Sequence, residues 1–204
     1  MKVRTLCLAL IAVLVLGGCS LLEDDDEPRA AGTPLTQEEL AGALLTIDDM
    51  PSGFAVDTSP DDEDRGVCGQ PPASTVVPSI AQARVSFTRG ALGPYVQQVT
   101  ASFEESKAIE YMARLRESAS CSSYSDPEVE GITSRIAEMS FPKLGDDTLA
   151  LRIGNDQGFN ADIVFLRIDD TVTLVGVGGL VAVDSALTED LARKAEAKVK
   201  ESLG

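Results

Sequence analysis

Ala161-Asp162-Ile163-Val164-Phe165-Leu166-Arg167-Ile168-Asp169-Asp170-Thr171-Val172-Thr173-Leu174-Val175-Gly176-Val177 contains the two most strand-like segments of the chain. Residues 161–168 and 172–177 are rich in β-branched and aromatic side chains, which suit a pleated surface. The Asp169-Asp170 pair between them has turn chemistry. Upstream, Asn155-Asp156-Gln157-Gly158 reads as a hairpin turn that joins this unit to a strand over 148–154. A further strand over 134–141 is set off by Pro142-Lys143-Leu144-Gly145-Asp146-Asp147. Two more, 83–88 and 95–103, flank Arg89-Gly90-Ala91-Leu92-Gly93-Pro94; Val85 and Phe87, then Val99, Ala101 and Phe103, alternate with their neighbours.

Helical spacing fills the gaps. Ser106 is placed to cap a helix through 119, with Ala108, Met112, Leu115 and Ala119 on one stripe. The last helix starts near Ser185, and Leu187, Leu191, Ala195, Val199 and Leu203 share a face. Glu189 and Asp190 near its start and Lys198 and Lys200 near its end suit the helix dipole. Thr36 and Glu39 form a capping box stapled by Leu35 and Leu40, for a helix to about residue 46. Asp48 to Phe54 is a turn around Pro51 and Gly53, and 57–75 reads as a long loop pinned by Cys68. The order is helix, two strands, helix, four strands, helix. Hairpin-length connections predict an α+β domain: a largely antiparallel sheet of about five to six strands, with helices packed on one face.

That domain spans residues 35–204; two different segments precede it. Met1-Lys2-Val3-Arg4 is basic, 6–16 is apolar, and Leu16-Gly17-Gly18-Cys19 closes the run. The pattern is a secretory leader over residues 1–18, too short to span a bilayer. Its last four residues resemble the lipobox of bacterial lipoproteins. The resemblance implies cleavage before Cys19 and a diacylglycerol on its sulfur, holding the protein at the extracytoplasmic face of the cell membrane, since two acyl chains anchor stably where one does not. The competing interpretation is an ordinary secreted protein. Residues 19–34 include five consecutive acids, Glu23 to Glu27, which repel one another and read as a disordered spacer.

The chain of 204 residues has 17 basic and 33 acidic side chains, a net charge of −16. Loss of Lys2 and Arg4 with the leader leaves 15 against 33, or −18. That balance argues against nucleic acid, whose affinity comes from neutralising phosphates. Of four cysteines, Cys7 leaves with the leader and Cys19 is lipidated, so Cys68 and Cys121 remain in an oxidising space. A Cys68–Cys121 disulfide is the expectation. The alternative is a metal pair, but two thiols without any histidine do not complete a tetrahedral site.

Catalytic motifs are incomplete. The absence of histidine removes Ser-His-Asp catalysis and most zinc sites. Ser140-Phe141-Pro142-Lys143 has Ser-x-x-Lys spacing, but Gly145 and two aspartates preclude the helix that would bring Ser and Lys together. Gly176-Val177-Gly178-Gly179 lacks the third glycine and second strand of a dinucleotide loop, and its glycines suit close strand packing. Asp61-Asp62-Glu63-Asp64-Arg65-Gly66 fails as an EF-hand loop, with Arg65 at position five and Pro72 at twelve; weaker cation binding there stays open. Asp48-Asp49, Asp146-Asp147 and Asp169-Asp170 are turn-like. No catalytic residue, cofactor or metal site is assigned, and the chain is read as a non-enzyme.

The Cys19 motif, Leu45-Thr46-Ile47-Asp48-Asp49-Met50-Pro51-Ser52-Gly53-Phe54, a loop cysteine, Phe103-Glu104-Glu105-Ser106-Lys107-Ala108 before a helix ending at a cysteine, and Leu144-Gly145-Asp146-Asp147 before a strand form a pattern. It resembles the actinobacterial lipoproteins related to the extracellular sensor domain of the mycobacterial kinase PknH, over about residues 36–204. The family has two disulfides and a tryptophan near the helix cysteine; this chain offers one cysteine pair and no tryptophan. The resemblance implies a ligand-binding or sensor-like module, tethered by lipid, with a small molecule, lipid or envelope protein as its ligand and a monomer expected. The ligand is expected between the sheet and the 54–75 loop. The alternatives are an envelope protein scaffold and a lipid or glycolipid carrier.

Overall fold

The computed structural model describes residues 32–59, 68–104, 106–125 and 131–204. The leader, Cys19, the acidic segment behind it and the Asp61–Gly66 run lie outside the described residues.

The first helix, α1 (Gln37–Gly42), begins as its capping box requires. The Glu39 carboxylate accepts the Thr36 N–H at 2.6 Å, and the Thr36 hydroxyl accepts the Glu39 N–H at 3.3 Å. It stops before residue 46. The buried Gln98 side chain takes over the next backbone groups, accepting the Leu45 N–H at 2.6 Å and donating to the Ala43 carbonyl at 3.2 Å. Because an unpaired buried amide is costly, these tertiary bonds compete successfully with further helix. A short 3₁₀ turn, Ile47–Asp49, follows.

Eight strands make one sheet. In chain order they are β1 (Ala55–Val56), β2 (Ala81–Thr88), β3 (Tyr95–Ser102), β4 (Ser123–Ser125), β5 (Thr133–Glu138), β6 (Asp147–Asn155), β7 (Asn160–Ile168) and β8 (Thr171–Gly179). Helix α2 (Ala73–Val76) precedes β2, α3 (Lys107–Ser118) links β3 to β4, and α4 (Ser185–Leu203) closes the chain. The strand order is β1-β2-β3-β8-β7-β6-β5-β4, and every neighbouring pair is antiparallel. The sheet thus has more strands than the five to six expected. The additions, β1 and β4, are edge strands of two and three residues, too short to show an alternating pattern.

The Gly176–Gly179 run is strand, paired with β3 on one side and β7 on the other. A Cβ at Gly178 would lie 2.9 Å from the Ala161 Cβ, and one at Gly179 2.8 Å from the Leu92 carbonyl oxygen. Glycine here permits backbone approach. Ser140 to Lys143 is not helical. Ser106 occupies the position before α3, but with φ 69° and no side-chain capping bond, so its expected capping role is not observed.

Helices lie on both faces of the sheet, not one. Alternate strand residues point to opposite faces. Val96, Val175 and Val177 pack with Leu191 and Ala195 of α4, and Val164 and Leu166 with Ala192. Ala101, Phe165 and Val172, at odd spacings from them along the same strands, pack instead with Ala108 and Met112 of α3. The chain leaves the end of β3, crosses the second face as α3, and meanders back to place β8 beside β3. The apolar stripe on α3 therefore meets the opposite side of the sheet from α4.

Candidate functional site

The two faces are covered unequally. On the α4 face, Leu191, Ala192, Ala195 and Val199 are all 0% exposed. A buried polar row runs beneath α1: the Gln98 amide donates to the Thr100 hydroxyl at 3.0 Å, and the Thr100 and Thr173 hydroxyls are 2.8 Å apart. The N-terminus of α4 is fastened by Asp162, a fully buried carboxylate that accepts Arg152 at 2.7 and 2.9 Å and the Ser185 hydroxyl at 2.9 Å.

On the other face, α3 covers the β6–β7 side and leaves a cleft of about 430 Å³ above the sheet. That volume falls in the range of small-molecule sites. Val99, Ile163, Phe165 and Leu174 form the floor, and Tyr111 and Leu115 of α3 form one wall. Pro71 to Ser74 line it from the loop side, while Gln82, Arg84 and Gln97 supply polar groups. Among the described residues that line it, Arg84 is the only charged one, and none is Asp or Glu. Two convergent carboxylates for hydrolysis are therefore not found in it. No group of three or more potential metal ligands occurs among the described residues.

Cys68 and Cys121 meet as a disulfide, with Cα atoms 5.7 Å apart. The bond ties the segment leading into Pro71–Ser74 to the chain just beyond α3. Tyr111 is held against Phe103, with ring centroids 4.9 Å apart. The cleft lies between the sheet and residues 71–74 of the 54–75 loop, with α3 as a further wall.

The aspartate pairs do not enter the cleft; each is engaged where it stands. Arg116 donates to both Asp147 oxygens, at 2.7 and 2.9 Å. Partial burial raises the Asp147 pKa, but the Arg116 hydrogen bonds and charge outweigh it and leave the carboxyl below its ordinary value. For Asp49, partial burial is likewise outweighed, here by Thr46 and by Lys198 at 3.3 Å. Asp146 receives the Asp169 N–H at 2.8 Å and Arg167 at 3.2 Å. Gly145, with φ 58°, sits so close to β7 that a Cβ there would lie 2.4 Å from the Arg167 carbonyl oxygen, and its N–H donates to Glu196 of α4 at 2.7 Å. The Leu144–Asp147 motif therefore reads as a structural corner.

No protein-family model matches the chain, and no curated protein matches it in sequence. Among solved structures, the fold is similar to the crystal structure of the extracellular domain of PknH from Mycobacterium tuberculosis. The TM-score is 0.61 at 15% sequence identity, over 84% of this chain and 100% of that one. The short motifs thus point to a true structural relationship, at the level of fold. No helix among the described residues is long and apolar enough to cross a membrane.

Proposed function

We propose that this chain is a non-enzymatic ligand-binding module of the cell envelope, tethered through Cys19 and acting as a sensor-like domain outside the cytoplasm. The observation that carries the binding function is the cleft: apolar side chains left partly uncovered in the middle of a sheet, beside a few polar groups and one arginine. Well-formed apolar clefts with few polar groups are the usual form of a small-molecule site. The leader, the lipobox pattern and the acidic spacer support placement outside the membrane. The likeness to an extracellular kinase domain is compatible with it.

Native mass spectrometry of the protein taken from its own membranes tests this. The expected result is a co-purifying small molecule that is lost in Gly176→Ile. Gly176 lies in register between Gln97 and Ile163, both of which line the cleft, and a Cβ there would meet a Leu174 methyl at 3.8 Å. A wild-type protein that carries no small molecule, and instead a stoichiometric polypeptide, would overturn the binding role in favour of a scaffold.

A further inference from the structure

The register of the sheet sorts the cleft into a polar side and an apolar side. Arg84 of β2 lies opposite Val99 of β3, Val99 opposite Leu174 of β8, and Leu174 opposite Phe165 of β7. In the next row, Gln97 of β3 lies opposite Gly176 of β8, Gly176 opposite Ile163 of β7, and Ile163 opposite Leu151 of β6. Among the described residues, the polar strand residues that line the cleft are all on β2 or β3, while those it takes from β5 to β8 are all apolar. Neighbouring strands are about 4.8 Å apart, so each row reaches about 14 Å, three strand spacings, from its polar end. The charge on the polar side is not a free one, because Arg84 already has an interaction partner. The Gln82 and Gln97 side-chain amides, by contrast, have no hydrogen bond to another residue of the described structure. A primary amide offers donors and an acceptor without a net charge.

We propose that the ligand is an uncharged single-chain amphiphile, an apolar chain with an alcohol, ester or amide head. This rests on the ligand-binding role above and specifies its ligand. The chain lies across β8 and β7, over the gap that Gly176 leaves between Gln97 and Ile163, and covers the partly buried Val99, Leu174 and Ile163. The head lies at the Gln82 and Gln97 amides. Ionised heads are disfavoured for a different reason at each sign. A carboxylate would leave water for a site whose guanidinium is already engaged, in a molecule of net charge −16. An ammonium would meet the Arg84 charge, and no Asp or Glu is among the described residues that line the cleft. A neutral head gives up only its hydrogen bonds to water, which the two amides restore. A small polar molecule without the chain would leave the apolar side exposed to water.

The test is calorimetric titration, at pH 7, of the full chain carrying Cys19→Ser, which removes the proposed attachment point of its own acyl group. The probes are decanol, decanoate, decylammonium and glycerol. Decanol is expected to bind at least about tenfold more tightly than either ion, and glycerol not measurably. Gly176→Ile is expected to abolish decanol binding. Gln97→Glu, nearly the same in shape, places an acid where the head sits, and is expected to raise decylammonium affinity at least about threefold while decanol does not gain. Decanoate or decylammonium binding the unsubstituted cleft as tightly as decanol would overturn the neutral head, and an unchanged decylammonium affinity in Gln97→Glu would overturn its placement. Failure of every amphiphile would overturn the proposal. If a charged or wholly polar small molecule nevertheless co-purifies and is lost in Gly176→Ile, the proposal falls and the cleft remains a binding site for another class. If nothing co-purifies, the binding role falls as well.

Discussion

The same strands present two different surfaces. Toward α4, Val164, Leu166 and Val175 are 0% exposed, sealed by a helix of 19 residues. Toward α3, a helix of 12 residues covers the β6–β7 side, and the alternate residues Ile163, Leu174 and Val99 stay only partly buried. Both surfaces are apolar, as strands covered on both faces should be. What differs is the length and placement of the cover. One face holds the fold together, while the other gives up part of its burial to keep a cleft.

If that division is right, substitutions should sort by face. The disulfide carries the largest effect expected on the open side. It spans 53 residues, and replacing both Cys68 and Cys121 by serine should cost about 4 kcal/mol in the chain-entropy model, read from the urea midpoint. A loss below about 1 kcal/mol would mean that α3 and the cleft wall dock firmly without it. Leu191→Ala, on the sealed face, should cost about 3 kcal/mol through the cavity it leaves, whereas Leu174→Ala in the cleft should cost under about 1 kcal/mol. Equal losses would erase the distinction between the faces.

Gln98→Leu should cost about 2 kcal/mol, because the Leu45 N–H and the Ala43 carbonyl lose their buried partner; accelerated hydrogen exchange at Leu45 would locate the effect. The smallest effect concerns Asp147. Its carboxyl titrates below the ordinary value, so its contribution is present above about pH 4 and is lost as pH falls through the depressed pKa. Solvent screening of the half-open pair keeps the contribution to about 1 kcal/mol or less. Asp147→Asn should therefore lower stability at pH 7 and leave it unchanged near pH 2, and a difference persisting in acid would assign the effect to packing.

Much of this architecture was legible in the chain. Alternation located β2 and β3, strand-like runs set off by turn residues located the other four longer strands, and the Leu191, Ala195 and Val199 spacing located the face of α4. The edge strands β1 and β4 and the single turn of α2 were not legible, because two to four residues hold no period. The end of α1 was misjudged because a glutamine 53 residues away decides it. The site was harder to read for the same reason. Arg84, Val99, Leu174 and Phe165 form a row only through pairings between segments far apart in sequence, and no local pattern encodes that register. One signal was available: 161–168 and 172–177 are apolar at successive positions, which implies two buried faces.

The most direct measurement of the central claim pairs stability with occupancy in Gly176→Ile. A β-branched residue suits a strand, and a Cβ at Gly176 would make only ordinary van der Waals contact with Leu174, so the urea midpoint should stay within about 0.5 kcal/mol of the parent while the bound small molecule disappears from the native mass spectrum. A variant that unfolds like Leu191→Ala, or one that keeps its cargo, would contradict the assignment of that face to binding.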